Sequence, residues 1–183
     1  VLLMGYTGAG KTTAVRPWVD AGYHRLNRDV IGGSLKEVAE RLDQDLATGV
    51  TRAILDNTYA RRSARNAVIE VAWRHGLPAR CVWLQTDLAQ AQVNACQRML
   101  DRFGRLLEPD ELKEAAKTTP NTYAPRVQHG YRALLEDPEL DEGFTEILAE
   151  PFVRRPAAGH GRGLIVAAAA LLGSESGASR ATS

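Results

Sequence analysis

Residues 5 to 12 read Gly-Tyr-Thr-Gly-Ala-Gly-Lys-Thr, and the four residues before them, Val1 to Met4, form an unbroken apolar run. This order constrains the fold more than any other feature of the chain. A short apolar run that stops at a glycine reads as a buried parallel strand. The G-x-x-x-x-G-K-[ST] pattern, set between a strand and a helix, is a phosphate loop. Its glycines let the backbone curl so that successive N–H groups face phosphate oxygens, and the helix that follows adds the positive end of its dipole. Lys11 is then placed to reach the terminal phosphates of a nucleoside triphosphate such as ATP, and the Thr12 hydroxyl to ligate Mg²⁺. Gly5, Thr7, Gly8, Ala9, Gly10, Lys11, Thr12 and Thr13 are the expected nucleotide-binding residues. A glycine turn that merely opens a helix needs neither the lysine nor the hydroxyl.

The rest of the chain alternates between strand and helix signals. A helix is expected over 12–21, shortened or kinked at Pro17, which lacks the donor its turn requires. Tyr23 to Leu26 reads as a weak second strand. Ser34 and Glu37 form a capping box ahead of Leu35, Val38, Ala39, Leu42 and Leu46, with Gly49 as the stop, which predicts an amphipathic helix. Ala53 to Leu55 is a third strand ending at Asp56, and 61–75 is helical in period. Arg80 to Leu84 makes a fourth strand, Asp87 caps a helix running to about Leu100, and Phe144 to Leu148 supplies a fifth strand. Such alternation predicts an α/β fold of the P-loop NTPase type, a parallel sheet of about five strands flanked by helices, with a helical lid. Ligands of these sheets gather at the carboxyl ends of the strands. Residues 5–13, 27–29, 56–58 and 85–87 are therefore expected to converge on one crevice.

At 183 residues, 44 % hydrophobic and 25 % charged, the chain has the length and composition of one soluble domain. We expect that domain over 1–155, with 156–183 as an extension or linker, since 173–183 is rich in Gly, Ser and Ala. The chain starts inside a strand, so residues are expected to precede Val1, and the linker-like tail leaves room for additional domains beyond either terminus. The formal net charge of +1 gives no whole-molecule field that singles out a polyanion. Cys81 and Cys96 are too few for a disulfide framework or a zinc site, which suits a cytoplasmic location. The alanine-rich stretch 164–172 is about half of the ~20 residues a membrane span needs, so no membrane partner is expected. The four histidines lack metal-ligand spacing.

Three further positions carry chemistry. Asp29, just past the second strand, is placed to face the terminal phosphate as a base that accepts a proton from an attacking hydroxyl. The alternative, a helix cap, is already filled by Ser34. Asp56 stands at a Walker B position, where a carboxylate holds Mg²⁺ directly or through water; Asn57 and Thr58 are free to cap the next helix in its place. Arg98, Arg102 and Arg105, spaced four and three apart, would share one face of a continuing helix and close over the triphosphate, Arg98 and Arg102 foremost. A solvated basic face is the competing account for Arg102 and Arg105. Residues 108–117 read as an exposed charged helix.

Taken in order, the phosphate loop, Asn27-Arg28-Asp29 with Gly32, Asp56-Asn57-Thr58, the segment Gly76 to Cys81, Asn94 with Arg98, and Glu142-Gly143-Phe144 ahead of Pro151-Phe152 resemble the kinase domain of the polynucleotide 5′-hydroxyl kinases. The resemblance covers about residues 1–153. It implies an ATP-dependent transfer to a 5′-hydroxyl end of DNA or RNA, with Asp29 as general base, Arg98 as the lid arginine, and Lys11 and Thr12 on the phosphates and Mg²⁺. Arg28, Arg61, Arg62 and Arg65 are candidate nucleic-acid contacts, with a solvated helix face as the alternative for the last three. Two other readings stay open. A P-loop kinase of a small-molecule hydroxyl (a sugar, nucleoside or antibiotic) is favoured by the acidic run Glu108, Asp110, Glu111 and Glu114. A nucleotide-dependent binding module without kinase activity is the third.

Overall fold

The computed structural model describes residues 1–119, 121–124 and 126–152. The expected extension over 156–183 lies outside the described residues. Five strands, β1 (Leu2–Met4), β2 (His24–Leu26), β3 (Ala53–Asp56), β4 (Arg80–Gln85) and β5 (Glu146–Pro151), form one sheet of order β2-β3-β1-β4-β5. Every pairing is parallel, with Leu2 opposite Leu55 on one side and Cys81 on the other. The parallel five-stranded sheet flanked by helices is therefore as the sequence implied.

Side chains alternate across this sheet, which is why both faces are covered. Leu2, Met4, Leu55 and Cys81 point to one core, together with Val38 and Leu42 of α4 (Leu35–Ala47) and Val68 and Ile69 of α5 (Arg62–Arg74). Leu3, Ile54 and Val82 point to the other, with Trp18 of α2 (Arg16–Asp20), Ala91 of α6 (Leu88–Phe103) and Tyr131 of α8 (Arg126–Leu134). The first helix is split: α1 (Lys11–Ala14) ends at Val15 and α2 restarts with Pro17 in its first turn, where a missing N–H costs nothing.

Several elements depart from the sequence expectations. Residues 28–31 form a short helix, α3 (Arg28–Ile31), capped by Asn27, whose Oδ1 accepts from the Asp29 N–H at 2.8 Å. None of Asp56, Asn57 and Thr58 caps α5, which begins six residues after Asp56 without a side-chain cap. Helix α6 stops at Phe103 because Gly104 takes a left-handed conformation (φ 71°). A continuing helix that would align Arg105 with Arg98 is thus cut short. Strand β5 begins two residues later than expected, because Phe144 is spent on the core beneath it. Helix α7 (Pro109–Thr118) is largely exposed, with Leu112 buried.

Candidate active site

Three of the four expected loops open onto one crevice of about 810 Å³ at the carboxyl ends of the strands. The phosphate loop contributes Thr7, Gly8, Gly10, Lys11, Thr12 and Thr13; β2 and α3 contribute Arg25 and Asn27 to Val30; β3 contributes Asp56, Asn57 and Thr58. The far wall is Arg98 of α6, the end of α7, and residues 121–123. The fourth loop, 85–87, stays behind the phosphate loop. There the Thr86 hydroxyl donates to the Ala9 carbonyl at 3.3 Å, and Asp87 caps α6 through the Gln90 N–H at 2.6 Å.

Lys11 folds over its own loop, its Nζ donating to the carbonyls of Gly5 and Tyr6 at 2.9 Å each. Burial pulls its pKa down to about 8; Asp56 and then Asp29 oppose the shift, and Arg98 adds to it. These three groups lie within electrostatic reach of the lysine, which is what convergence on a single site requires. Thr12 and Thr13 are exposed at the start of α1.

The segments around Asp29 and Asp56 are stitched together by two asparagines. Asn27 Nδ2 donates to the Asp56 carbonyl, and Asn57 Oδ1 accepts from the Arg28 N–H at 2.8 Å. Asn57 Nδ2 also donates to the Tyr59 hydroxyl at 3.2 Å. The Asn-Arg-Asp and Asp-Asn-Thr steps are therefore one structural unit. It leaves the Asp29 carboxylate 63 % exposed, in contact with Arg28 at 3.5 Å. The Asp56 carboxylate, by contrast, is buried and paired with Arg25.

The oxygen chemistry suits Mg²⁺. Thr12 and Asp56 line the same crevice, Asp56 with one carboxylate oxygen taken by Arg25, and this ion commonly takes one or two protein oxygens and completes its shell with phosphates and water. Among the described residues no group of three or more His, Cys, Asp or Glu is placed to hold an ion unaided.

The expected lid arginines separate. Arg98 lines the crevice and donates to the Asn121 carbonyl at 3.2 Å and the Tyr123 hydroxyl at 3.5 Å. Arg102, one turn on, lines a side cleft with Met99 and Phe103 and does not line the crevice. Arg105 makes a bidentate pair with Glu111, at 2.8 and 2.6 Å.

Of the candidate nucleic-acid contacts, Arg28 lines the crevice, whereas Arg62 pairs with Glu139 and Asp141 away from it. Arg65 is fully buried against Glu142, at 2.7 and 2.6 Å, so neither a solvated face nor an exposed contact describes it. Arg25 and Lys117 line the crevice without having been singled out in the sequence. Arg25 sits in a three-residue edge strand with no motif around it, and Lys117 in a helix that reads as plain solvated charge.

This sheet order, phosphate loop and crevice define a P-loop kinase-type domain. The family model described as an AAA domain matches residues 1–119, and the chain belongs to that family. A curated relative, the bifunctional polynucleotide phosphatase/kinase of Schizosaccharomyces pombe, is 26 % identical over 156 residues, covering 83 % of this chain and 33 % of its own length. The chain thus spans about a third of that relative. Among solved structures, a gluconokinase from Sinorhizobium meliloti shares the fold with a TM-score of 0.60 at 19 % identity, over 98 % of this chain and 96 % of that one. Chaetomium thermophilum Kti12 in complex with ADP-AlF3 has a TM-score of 0.60 at 14 % identity, over 82 % and 88 %. No helix of the described residues is long and apolar enough to cross a membrane.

Proposed function

We propose that this chain is an ATP- and magnesium-dependent kinase that phosphorylates a 5′-hydroxyl end of DNA or RNA. The observation that carries the reading is the composition of the crevice. Lys11, Arg25, Arg28, Arg98 and Lys117 line it against two carboxylates, Asp29 and Asp56. Although the whole chain is nearly neutral, and although Lys117 shares its charge with Glu114, the crevice therefore has a local excess of positive charge where a triphosphate and a polyanionic acceptor would meet. The resemblance of the ordered motifs and the likeness to a polynucleotide phosphatase/kinase support the same acceptor.

In this reading the exposed Asp29 carboxylate takes the proton of the attacking 5′-hydroxyl, whose oxygen bonds to the γ-phosphorus of ATP as the bond to the β–γ bridging oxygen breaks. Lys11 and Arg98 offset the charge that develops on the transferred group and on the departing ADP. Thr12 and Asp56 would hold Mg²⁺, directly or through water, which when bound supplies charge neutralisation at the phosphates. Arg102 would act at the lid's margin, outside the crevice. A cytoplasmic location goes with ATP as donor and with two free cysteines, Cys81 and Cys96.

A small-molecule acceptor is the second reading, and the gluconokinase likeness in fold is the observation that favours it. The acidic run that also pointed there is largely neutralised in place. Glu111 pairs with Arg105, Asp110 with Lys113 at 2.7 Å, and Glu114 with Lys117 at 2.6 Å. A binding module without kinase activity leaves the exposed Asp29 without a task.

The test is transfer of labelled γ-phosphate from ATP with magnesium to a short 5′-hydroxyl oligonucleotide, beside its 5′-phosphorylated twin. Label on the first alone is expected. Label on neither, with ATP still bound, overturns the nucleic-acid acceptor and leaves small hydroxyl compounds to be screened.

A further inference from the structure

The phosphate loop is held from outside by two side-chain amides of the helical segment that follows β4. The Asn94 Nδ2 of α6 donates to the Gly8 carbonyl at 2.9 Å. The Gln128 Nε2 of α8 donates to the Thr7 carbonyl at 2.9 Å and to the Ala91 carbonyl of α6 at 2.8 Å. Gln128 therefore ties the loop and both helices together at one nitrogen. Its side chain is wholly buried, and its Oε1 has no hydrogen-bond partner in the structure. An orphaned buried acceptor is unfavourable, and an apolar side chain of the same length would pack there without one. What the amide contributes is its two N–H bonds. The loop is also pressed hard against this brace: a Cβ on Gly8, whose φ is +95°, would lie 2.8 Å from the Ala91 oxygen and 3.0 Å from the Tyr123 hydroxyl.

From this geometry we infer that Gln128 and Asn94 are positioning residues for phosphoryl transfer, fixing the carbonyls of Thr7 and Gly8 so that the loop's N–H groups stay aimed at the nucleotide phosphates. The physical reason is that a phosphate cradle acts only when its donors are pre-set. Gln128 fixes the peptide unit that carries the Gly8 N–H, and Asn94 fixes the next one, whose Ala9 N–H is held within the loop by the Tyr6 carbonyl at 2.9 Å, so that the amide of Asn94 acts on the path of the loop into Gly10 and Lys11. The two amides hold the loop at successive carbonyls. Arg98 lies four residues after Asn94 on the same helix, so the brace also fixes the register between the loop and that arginine.

The inference rests on the reading of residues 5–12 as a nucleotide cradle, and the experiment separates the two. ADP binding with magnesium is measured by calorimetry, and the β-phosphate signal of bound ADP by phosphorus NMR, for the wild type, Gln128→Met and Asn94→Ala. The unfolding midpoint without nucleotide is recorded alongside. Wild type that fails to bind ADP refutes the cradle itself. If the wild type binds, each variant is expected to lose about tenfold in ADP affinity and to shift the bound β-phosphate resonance toward that of free ADP, as small misplacements of binding groups do. Asn94 is half-buried, so Asn94→Ala is expected to stay folded even if Gln128→Met does not. Variants whose ADP affinity and β-phosphate signal match the wild type, whatever their unfolding midpoints, overturn the inference.

Discussion

At the residue scale, Asp29 and Lys11 make opposite demands on their surroundings. Asp29 is exposed on a four-residue helix, so Asp29→Ala is expected to keep the fold and its nucleotide affinity while kcat for transfer falls by about 10²–10⁴. Steady-state kinetics with ATP varied checks this, and a variant near the wild-type rate removes Asp29 as the base. Lys11 is instead pulled down to about 8 by burial. A bound triphosphate raises that value again, so the free and bound proteins hold equal numbers of protons below about pH 8 and unequal numbers above it. ATP affinity is therefore expected to be flat below pH 8 and to weaken by up to about tenfold per unit above it, with proton uptake on binding. Titration calorimetry in two buffers of different ionisation enthalpy reads both. Both residues were legible in the sequence because a motif or a strand end fixes where they stand. Arg25, paired with Asp56, was not legible, because an arginine in an edge strand looks like any solvated charge until the parallel register brings β2 against β3.

At the scale of elements, legibility followed length and capping. Helix α4 announces itself by period and by its box, in which the Ser34 hydroxyl accepts from the Glu37 N–H at 3.3 Å and the Glu37 carboxylate from the Ser34 N–H at 2.6 Å. Ser34→Ala is expected to cost about 1 kcal/mol and to lower the thermal midpoint by roughly 2–4 °C without touching transfer. No change in calorimetric midpoint would mean that water replaces the cap at no loss. Helices α3 and α8 escaped the sequence reading for different reasons. The first is one turn long, with no room for a period. The second hides its inward face behind Gln128, a polar residue where the pattern wants an apolar one. The same misfit marks Gln128 as something other than packing.

At the scale of the whole molecule, the late Glu142-Gly143-Phe144 segment is a fastening for the edge of the sheet. Glu142 receives Arg65 of α5 in a fully buried pair, while the Arg65 guanidinium also donates to the carbonyls of Tyr59, Ala60 and Glu136. Gly143 has φ 106°, and a Cβ there would lie 2.1 Å from the Trp73 ring; Phe144 enters the core next to it. Helix α5, the chain leaving β3 and the approach to β5 are thus joined at one guanidinium. Arg65→Met leaves the Glu142 carboxylate buried without its partner and is expected to cost about 3–5 kcal/mol, read from chemical denaturation. The double change Arg65→Met with Glu142→Leu removes both charges and is expected to recover part of that loss, the carbonyls of Tyr59, Ala60 and Glu136 still lacking the guanidinium. If the single variant is as stable as the wild type, the buried pair is not what fastens β5. Because Arg65 is sealed from solvent, the double variant is also expected to bind ATP and any oligonucleotide as the wild type does. A selective loss of oligonucleotide affinity in a stably folded double variant would instead return Arg65 to the acceptor site.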